Sequence, residues 1–148
     1  MRLRLSTRVA GNYRTVMAGF TQALFVALAP PLPKVQLRRF DGSETGDEVH
    51  LDIDFVFFRQ RWHSTIVQHG DIGTEAFFVD EGTVLPFFLA RWQHHHRVVA
   101  DGPAASIIED DIRYSSGTWL GDVLLYPGLW LQFAYRKPVY RRFFARRA

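Results

Sequence analysis

An alternation of apolar and polar residues runs through the middle of the chain for about 80 residues and constrains the fold more than any other feature. In residues 49–57 the odd-numbered positions are apolar and the even-numbered ones include His50, Asp52 and Asp54. A period of two is typical of a strand with one buried face. Similar segments predict strands at 2–9, 35–40, 62–69, 75–80, 87–99 and 107–114. The segments are separated by short turns, at Asp41-Gly42, Gly70-Asp71, Glu81-Gly82 and Asp101-Gly102-Pro103, so neighbouring strands should be antiparallel.

Two other stretches have the spacing of helices. Apolar residues recur three and four positions apart from Tyr13 to Leu28, and Thr21 is a candidate cap for a second short helix within this stretch. A longer stretch from Trp119 to Phe144 predicts one apolar helix face, with a kink or brief break near Tyr126 because Pro127 follows. The sequence therefore predicts an α+β fold in which a curved antiparallel sheet is wrapped around a long C-terminal helix. We expect residues 1–148 to form a single domain.

Composition excludes several classes of site. The chain has no cysteine, which rules out disulfides, thiolate metal ligands and cysteine nucleophiles. No segment reaches the roughly 18 apolar residues of a membrane-spanning helix, and the N-terminus lacks the apolar run of a signal peptide. We therefore expect a cytoplasmic protein. Thirteen phenylalanines, in a chain that is 15% aromatic, indicate a need for broad apolar surface.

Four stretches resemble the START-like, or SRPBCC, superfamily, and in particular its small bacterial ligand-binding proteins. They are FDGSETGDEVHL (40–51), FFVDEGTVLPFFLARWQHHH (77–96), IIEDDIRY (107–114) and LLYPGLWLQFAYRKPVYRRFF (124–144). With NYRTVMAGFTQALFVALAPP near the start, the similarity covers nearly the whole chain. The resemblance implies the helix-grip fold and a pocket for a hydrophobic small molecule, and it implies no particular reaction.

The run of three histidines within RWQHHHRVV is the most unusual local feature. Alternation along this strand places His94 and His96 on the face that carries Trp92, which we expect to point inward. A turn centred near Gly102-Pro103 would place His96 opposite Asp110, and His94 opposite Ile112. A carboxylate and an imidazole would then face each other in an apolar wall as a structural pair, a ligand anchor or an acid and base.

Metal binding is a weaker alternative for the same histidines. His94 and His96 are two residues apart on one strand, and Asp80 or Asp110 would have to complete a zinc site. No zinc signature such as HExxH is present. Asp80 and Glu81 could also reinforce the His/Asp patch, although a carboxylate just before Gly82 is more typical of a turn. The sequence therefore predicts neither a metal nor a cofactor.

The residues predicted to line the ligand cavity come from the central strands and from the C-terminal helix. They are Phe55, Phe57, Phe78, Phe88, Trp92, His94, His96, Asp110, Ile112, Tyr114, Tyr126, Trp130 and Phe133.

Three functions remain open at this stage. Binding of a lipid-like or polyketide-like molecule is favoured over catalysis, and a cyclase or dehydratase that uses the His/Asp patch is the second possibility. The third is a protein that binds an anionic membrane surface or a partner through its basic, aromatic C-terminal tail. The basic residues of that tail are Arg136, Lys137, Arg141, Arg142, Arg146 and Arg147. Nucleic acid is not an expected partner.

Overall fold

A computed structural model describes residues 1–146. The elements in chain order are β1 (Arg2–Ala10), α1 (Tyr13–Ala18), α2 (Gln22–Ala27), β2 (Lys34–Phe40), β3 (Glu48–Asp54), β4 (Arg59–Asp71), β5 (Glu75–Val84), β6 (Arg91–Ala100), β7 (Ala105–Ser115) and α3 (Trp119–Ala145). The seven strands form one antiparallel sheet in the order β1-β7-β6-β5-β4-β3-β2. The predicted order of elements and the helix-grip architecture are confirmed.

Strand β1 shows how alternation fixes its place at the edge of the sheet. Leu3, Leu5 and Val9 are buried, and the arginines between them point to the other face. There Arg2 donates from Nε to Asp111 on β7 at 2.8 Å, and Arg4 donates to Glu109 at 2.7 Å. Apolar burial on one face and ion pairs on the other therefore select the β1–β7 register.

The two short helices pack between the sheet and the end of α3. Asn12 caps α1 by accepting a hydrogen bond from the Arg14 amide at 3.0 Å, whereas Thr21 occupies the cap position of α2 without a side-chain cap bond. A Cβ on Gly19 would lie 2.6 Å from the ring of Phe144. The link between α1 and α2 thus needs glycine for its close approach to α3.

Of the two alternatives predicted near Tyr126, the break is absent, because α3 runs from Trp119 to Ala145 without interruption, and the kink stays a prediction. Pro127 and Pro138 each remove one helical hydrogen bond, and burial of the second half of the helix through Phe133, Tyr140 and Phe144 offsets that loss. The prediction of one buried apolar face is also wrong for the first half of α3. Its exposed apolar side chains are Trp119, Leu120, Val123, Leu124, Tyr126, Trp130 and Leu131.

A second correction concerns the end of β5. Glu81-Gly82 is not a turn, because β5 continues to Val84 and the connection to β6 spans residues 85–90. A Cβ on Gly82 would lie 2.4 Å from the side chain of Leu85, so this glycine makes room for the connection that follows the strand. Phe87 and Phe88 consequently lie in that connection and not in β6.

Buried apolar side chains form two clusters, one on each side of a polar patch that consists of Asp80, His94, His96 and Asp110. Along β6, Trp92 belongs to one cluster and Val98 to the other, with His94 and His96 between them. Along β7, Ile112 and Ile108 flank Asp110 in the same way. The polar patch therefore lies in the middle of the inner face of the sheet. Within residues 1–146, no helix is both long enough and apolar enough to cross a membrane.

Candidate functional site

A cavity of about 690 Å³ lies between the inner face of the sheet, the α2 region and α3. Strands β2 to β6 contribute apolar side chains such as Ile66 and Phe78, and α2 with the following prolines contributes Leu24 and Leu28. From α3, positions three and four apart face the cavity, namely Leu125, Gly128, Leu129, Gln132, Phe133 and Arg136. Leu32 and Leu131 line it while remaining 64% and 66% exposed, which places its mouth between the proline segment and α3.

Seven of the predicted site residues line this cavity. They are Phe55, Phe78, Phe88, Trp92, His94, His96 and Phe133. The remaining six, which do not line it, are Phe57, Asp110, Ile112, Tyr114, Tyr126 and Trp130.

Phe57 was predicted to continue the apolar face of β3, but the strand ends at Asp54 and Phe57 is 94% exposed. A turn follows, in which the Phe55 amide donates to the Phe58 carbonyl at 2.9 Å and Val56 has φ of 78°. The chain reverses here, so alternation no longer determines the direction of Phe57.

Four other predicted residues do not line the cavity. Two of them are buried too deeply in the core, and the rotation of α3 turns the other two toward solvent. Ile112 and Tyr114 are buried in the cluster that contains Trp92 and Phe133 but do not reach the cavity, and the Tyr114 hydroxyl donates to the Asp122 carbonyl at 2.7 Å. Tyr126 and Trp130 lie on the exposed part of α3, because the helix turns Leu125 and Leu129 toward the cavity instead.

Two carboxylates and two imidazoles form a crossed network in the polar patch. Asp110 lies opposite His96, and His94 lies opposite Ile112, as the predicted register required. The short contacts run diagonally, with His94 Nε2 to Asp110 Oδ1 at 2.9 Å and His96 Nε2 to Asp80 Oδ2 at 3.1 Å. The longer contacts, His94 Nδ1 to Asp80 Oδ2 and His96 Nδ1 to Asp110 Oδ1, are both 3.7 Å. Asp110 therefore lies outside the cavity lining and contacts both histidines.

The prediction that Asp80 belongs to a turn is wrong. Asp80 is buried in β5 opposite His94, and it lines the cavity. The sequence contained a usable signal, because FFVD continues the alternation in which Phe78 and Asp80 share a face. Locally, however, the Glu81-Gly82 pair indicates a turn, so the sequence favours a turn for Asp80 over a place in the network.

Burial and hydrogen bonding set the charges in the network. Burial, followed by the neighbouring His96, lowers the pKa of His94 to about 4. For Asp110, burial alone would raise the pKa, but the hydrogen bond from His94 and the nearby charges lower it overall. The pKa of Asp80 is lowered in the same way, with His96 as its main partner. At neutral pH the network therefore contains ionised carboxylates and a neutral His94, which donates from Nε2 to Asp110.

Arg136 and Tyr140 extend the patch along α3. The Tyr140 hydroxyl donates to Asp110 Oδ1 at 3.4 Å, and burial followed by the Asp110 charge raises the Tyr140 pKa. The Arg136 guanidinium lies 4.1 Å from the centre of the Phe133 ring, and its buried Nε has no hydrogen-bond partner. The sequence analysis includes Arg136 only in the basic tail, whereas the structure places it at the cavity, and its spacing from Phe133 and Gln132 puts it on the same side of α3.

The remaining basic residues of the tail are outside the cavity. Arg141, Arg142 and Arg146 are exposed, Lys137 is half-buried, and Arg147 lies outside the described residues. Binding of this tail to an anionic membrane stays a prediction.

Several solved structures share this fold. The Zhui aromatase/cyclase from a Streptomyces species has a TM-score of 0.67 and 13% identity, with 95% of this chain and 90% of that chain covered. Norcoclaurine synthase from Thalictrum flavum, in complex with dopamine and hydroxybenzaldehyde, has a TM-score of 0.55 and 16% identity, with 94% and 86% covered. A protein from Thermobifida fusca has a TM-score of 0.65 and 16% identity, with 96% and 92% covered. No protein-family model and no curated protein matches the chain. The predicted resemblance to START-like helix-grip proteins is thus confirmed at the level of the fold.

Proposed function

We propose that this protein binds a largely apolar small molecule in the cavity between the sheet and α3. The observation that carries the proposal is the cavity itself, whose volume of about 690 Å³ lies within the range that is usual for small-molecule sites. Its walls are mainly aliphatic and aromatic side chains, with Trp92, Phe133 and Phe78 among the largest. Burial of apolar ligand surface against these walls supplies the affinity.

A few polar groups orient the ligand. Asp80, His94 and His96 form one polar region of the wall, and Gln132 with Arg136 forms another on α3. An otherwise apolar molecule with a hydroxyl, carbonyl or carboxylate group gains hydrogen bonds in only one orientation, because the rest of the wall offers few partners. Lipid-like and polyketide-like compounds have this combination of groups.

A second candidate function is catalysis of the cyclase or dehydratase type. The observation that favours it is the crossed network, in which Asp80 and His96 are the members more accessible from the cavity. The Asp80 carboxylate, positioned by His96, can accept a proton from an enolisable substrate, and the Arg136 guanidinium can stabilise the resulting oxyanion. The named activities of the similar aromatase/cyclase and norcoclaurine synthase are compatible with such a role.

The two functions predict different results for His96→Ala. If the protein only binds, the variant should retain its ligand, with a loss of affinity of about tenfold or less from one missing hydrogen bond. If the protein is an enzyme, turnover of an enolisable polyketide analogue should fall by at least about 100-fold while the analogue still binds. Parallel measurements of binding and turnover on His96→Ala and wild type distinguish the two.

Gly128→Trp tests the binding site without removing any existing contact. Gly128 lies on the cavity side of α3, and a Cβ there would meet no atom within 4 Å. An indole at this position occupies the space proposed for the ligand. We expect it to weaken binding of the apolar fluorescent probe anilinonaphthalene sulfonate by at least about tenfold, as measured by fluorescence titration.

Two controls accompany Gly128→Trp. Leu120→Trp adds the same indole to an exposed position of α3 away from the cavity and should leave probe binding unchanged. Gly128→Ala should raise the free energy of unfolding by up to about 1 kcal/mol, because alanine is the better helix former, and should leave the cavity open. Wild-type affinity in a folded Gly128→Trp protein would contradict the proposed location.

A further inference from the structure

Three side chains of the polar patch bring potential metal ligands together. The ligand atoms of Asp80, His94 and His96 all lie within 4.8 Å of one another. Asp80 Oδ2 is 3.1 Å from His96 Nε2 and 3.7 Å from His94 Nδ1. Ligand atoms about 2.0–2.1 Å from a tetrahedral zinc ion are roughly 3.3 Å apart. The two Asp80 contacts are close to this spacing, and the two imidazole nitrogens, which lie within 4.8 Å of each other, reach it by rotation of the rings. We propose that Asp80, His94 and His96 bind a divalent transition-metal ion, with zinc as the best match.

Asp110 supports this assignment from behind the ligands. Its Oδ1 accepts a hydrogen bond from His94 Nε2 at 2.9 Å, which leaves the lone pair of His94 on Nδ1, the atom that faces Asp80. Metal-bound histidines usually donate their other ring N–H to a carboxylate or carbonyl in this way. Asp110 therefore orients one ligand and fixes its tautomer.

His96 Nδ1 provides an independent observation. This atom is buried and has no hydrogen-bond partner, and it lies 3.7 Å from Asp110 Oδ1. When His96 Nε2 binds a metal, the ring proton moves to Nδ1, where Asp110 can accept it after a small shift. Metal binding thus gives a partner to a ring nitrogen that otherwise has none.

The surroundings suit an ion with an open coordination position. All three ligands line the cavity, so a fourth position faces the space where a small molecule would bind. Two imidazoles with one carboxylate are a donor set for zinc and for iron(II), whereas magnesium and calcium prefer oxygen alone. The positive charge of the ion would also compensate the two buried carboxylates. The inference goes beyond the proposed function, because an apolar molecule can occupy the cavity with or without the ion.

Metal titration of the full chain tests the site. Protein freed of metal with a chelator is titrated with Zn²⁺ by calorimetry and with Co²⁺ by visible absorption, which reports tetrahedral coordination. We expect one ion per chain, and a loss of affinity of at least about 100-fold in His96→Ala and in Asp80→Ala. Asp110→Asn, which changes only the supporting carboxylate, should weaken binding by about 10- to 100-fold.

The matched control is His63→Ala. His63 stacks on His50 at 3.9 Å between ring centres on β3 and β4, and these two residues form another close imidazole pair beside a carboxylate, that of Glu48. Unchanged affinity in His63→Ala and loss in His96→Ala support the site. Absence of binding to wild type, or equal affinity in a folded His96→Ala protein, would overturn it.

If the alanine variants do not fold, the anomalous scattering of wild-type crystals soaked in Zn²⁺ decides, since the ion must lie between Asp80, His94 and His96. Probe binding by the chelator-treated wild type tests the cavity proposal separately.

Discussion

Replacing Asp110 with alanine is expected to lower the free energy of unfolding by about 3–5 kcal/mol, measured by urea denaturation in the presence of a chelator. Asp110 is only 3% exposed, and its Oδ1 is the acceptor for His94 Nε2 and for the hydroxyl of Tyr140, which is 0% exposed. Alanine leaves both donors buried without a partner. The free-energy cost of leaving these polar groups buried without a partner exceeds the free energy gained by replacing a buried carboxylate with an apolar methyl group.

Two comparisons isolate this effect. Asp52→Ala removes a carboxylate from the exposed Arg38–Asp52 pair on β2 and β3, and should cost less than about 1 kcal/mol. Asp110→Asn keeps the shape of the side chain and an acceptor oxygen. Its loss of unfolding free energy should therefore lie between those of Asp110→Ala and Asp52→Ala. If Asp110→Ala were no more destabilising than Asp52→Ala, the buried network would not exist as described.

Stability should also fall steeply in mild acid. The pKa of His94 is about 4 in the folded protein, because of burial and the neighbouring His96, and about 6.5 in an unfolded chain. Between these values the unfolded state binds the proton and the folded state does not. The stability that neutral His94 provides is therefore complete above pH 6.5 and is lost as the pH falls toward 4, by about 3 kcal/mol in total. The lowered pKa values of Asp80 and Asp110 act in the same direction at still lower pH, where these carboxylates become protonated.

Urea denaturation at a series of pH values, in the presence of a chelator, measures this dependence. His94→Gln cannot titrate and should give a flatter profile between pH 6.5 and 4. His69→Gln, which changes an exposed histidine at the end of β4, should retain the wild-type slope. Identical slopes for His94→Gln and wild type would show that His94 is not held neutral by its surroundings.

The fold and half of the site were predictable because alternation reports which face of a strand is buried. The alternation in β6 and β7, together with the Asp101-Gly102-Pro103 turn, is sufficient to pair His96 with Asp110 from the sequence alone. The rule fails where the chain leaves the sheet. Phe57 lies in a turn after β3, and Phe87 lies in the connection after β5, so neither side-chain direction follows from the pattern.

The prediction for α3 failed for a different reason. Apolar residues occur all around its first half, so spacing alone did not show which side faces the sheet. Contacts with distant parts of the chain decide the rotation, and they turn Leu125, Leu129 and Phe133 inward while leaving Leu124 and Trp130 exposed. The same rotation brings Arg136 to the cavity. For Asp80 the local pattern favours a turn because Gly82 follows closely, whereas the room that Gly82 leaves for Leu85 is a tertiary requirement.

Native mass spectrometry of wild type and Gly128→Trp, after both have been exposed to the same extract of apolar metabolites, tests the proposed function most directly. We predict that wild type retains one small molecule per chain, released on collisional activation, and that folded Gly128→Trp retains none. If both proteins remained bare, or both retained the same molecule, the cavity beneath α3 would not be a ligand site.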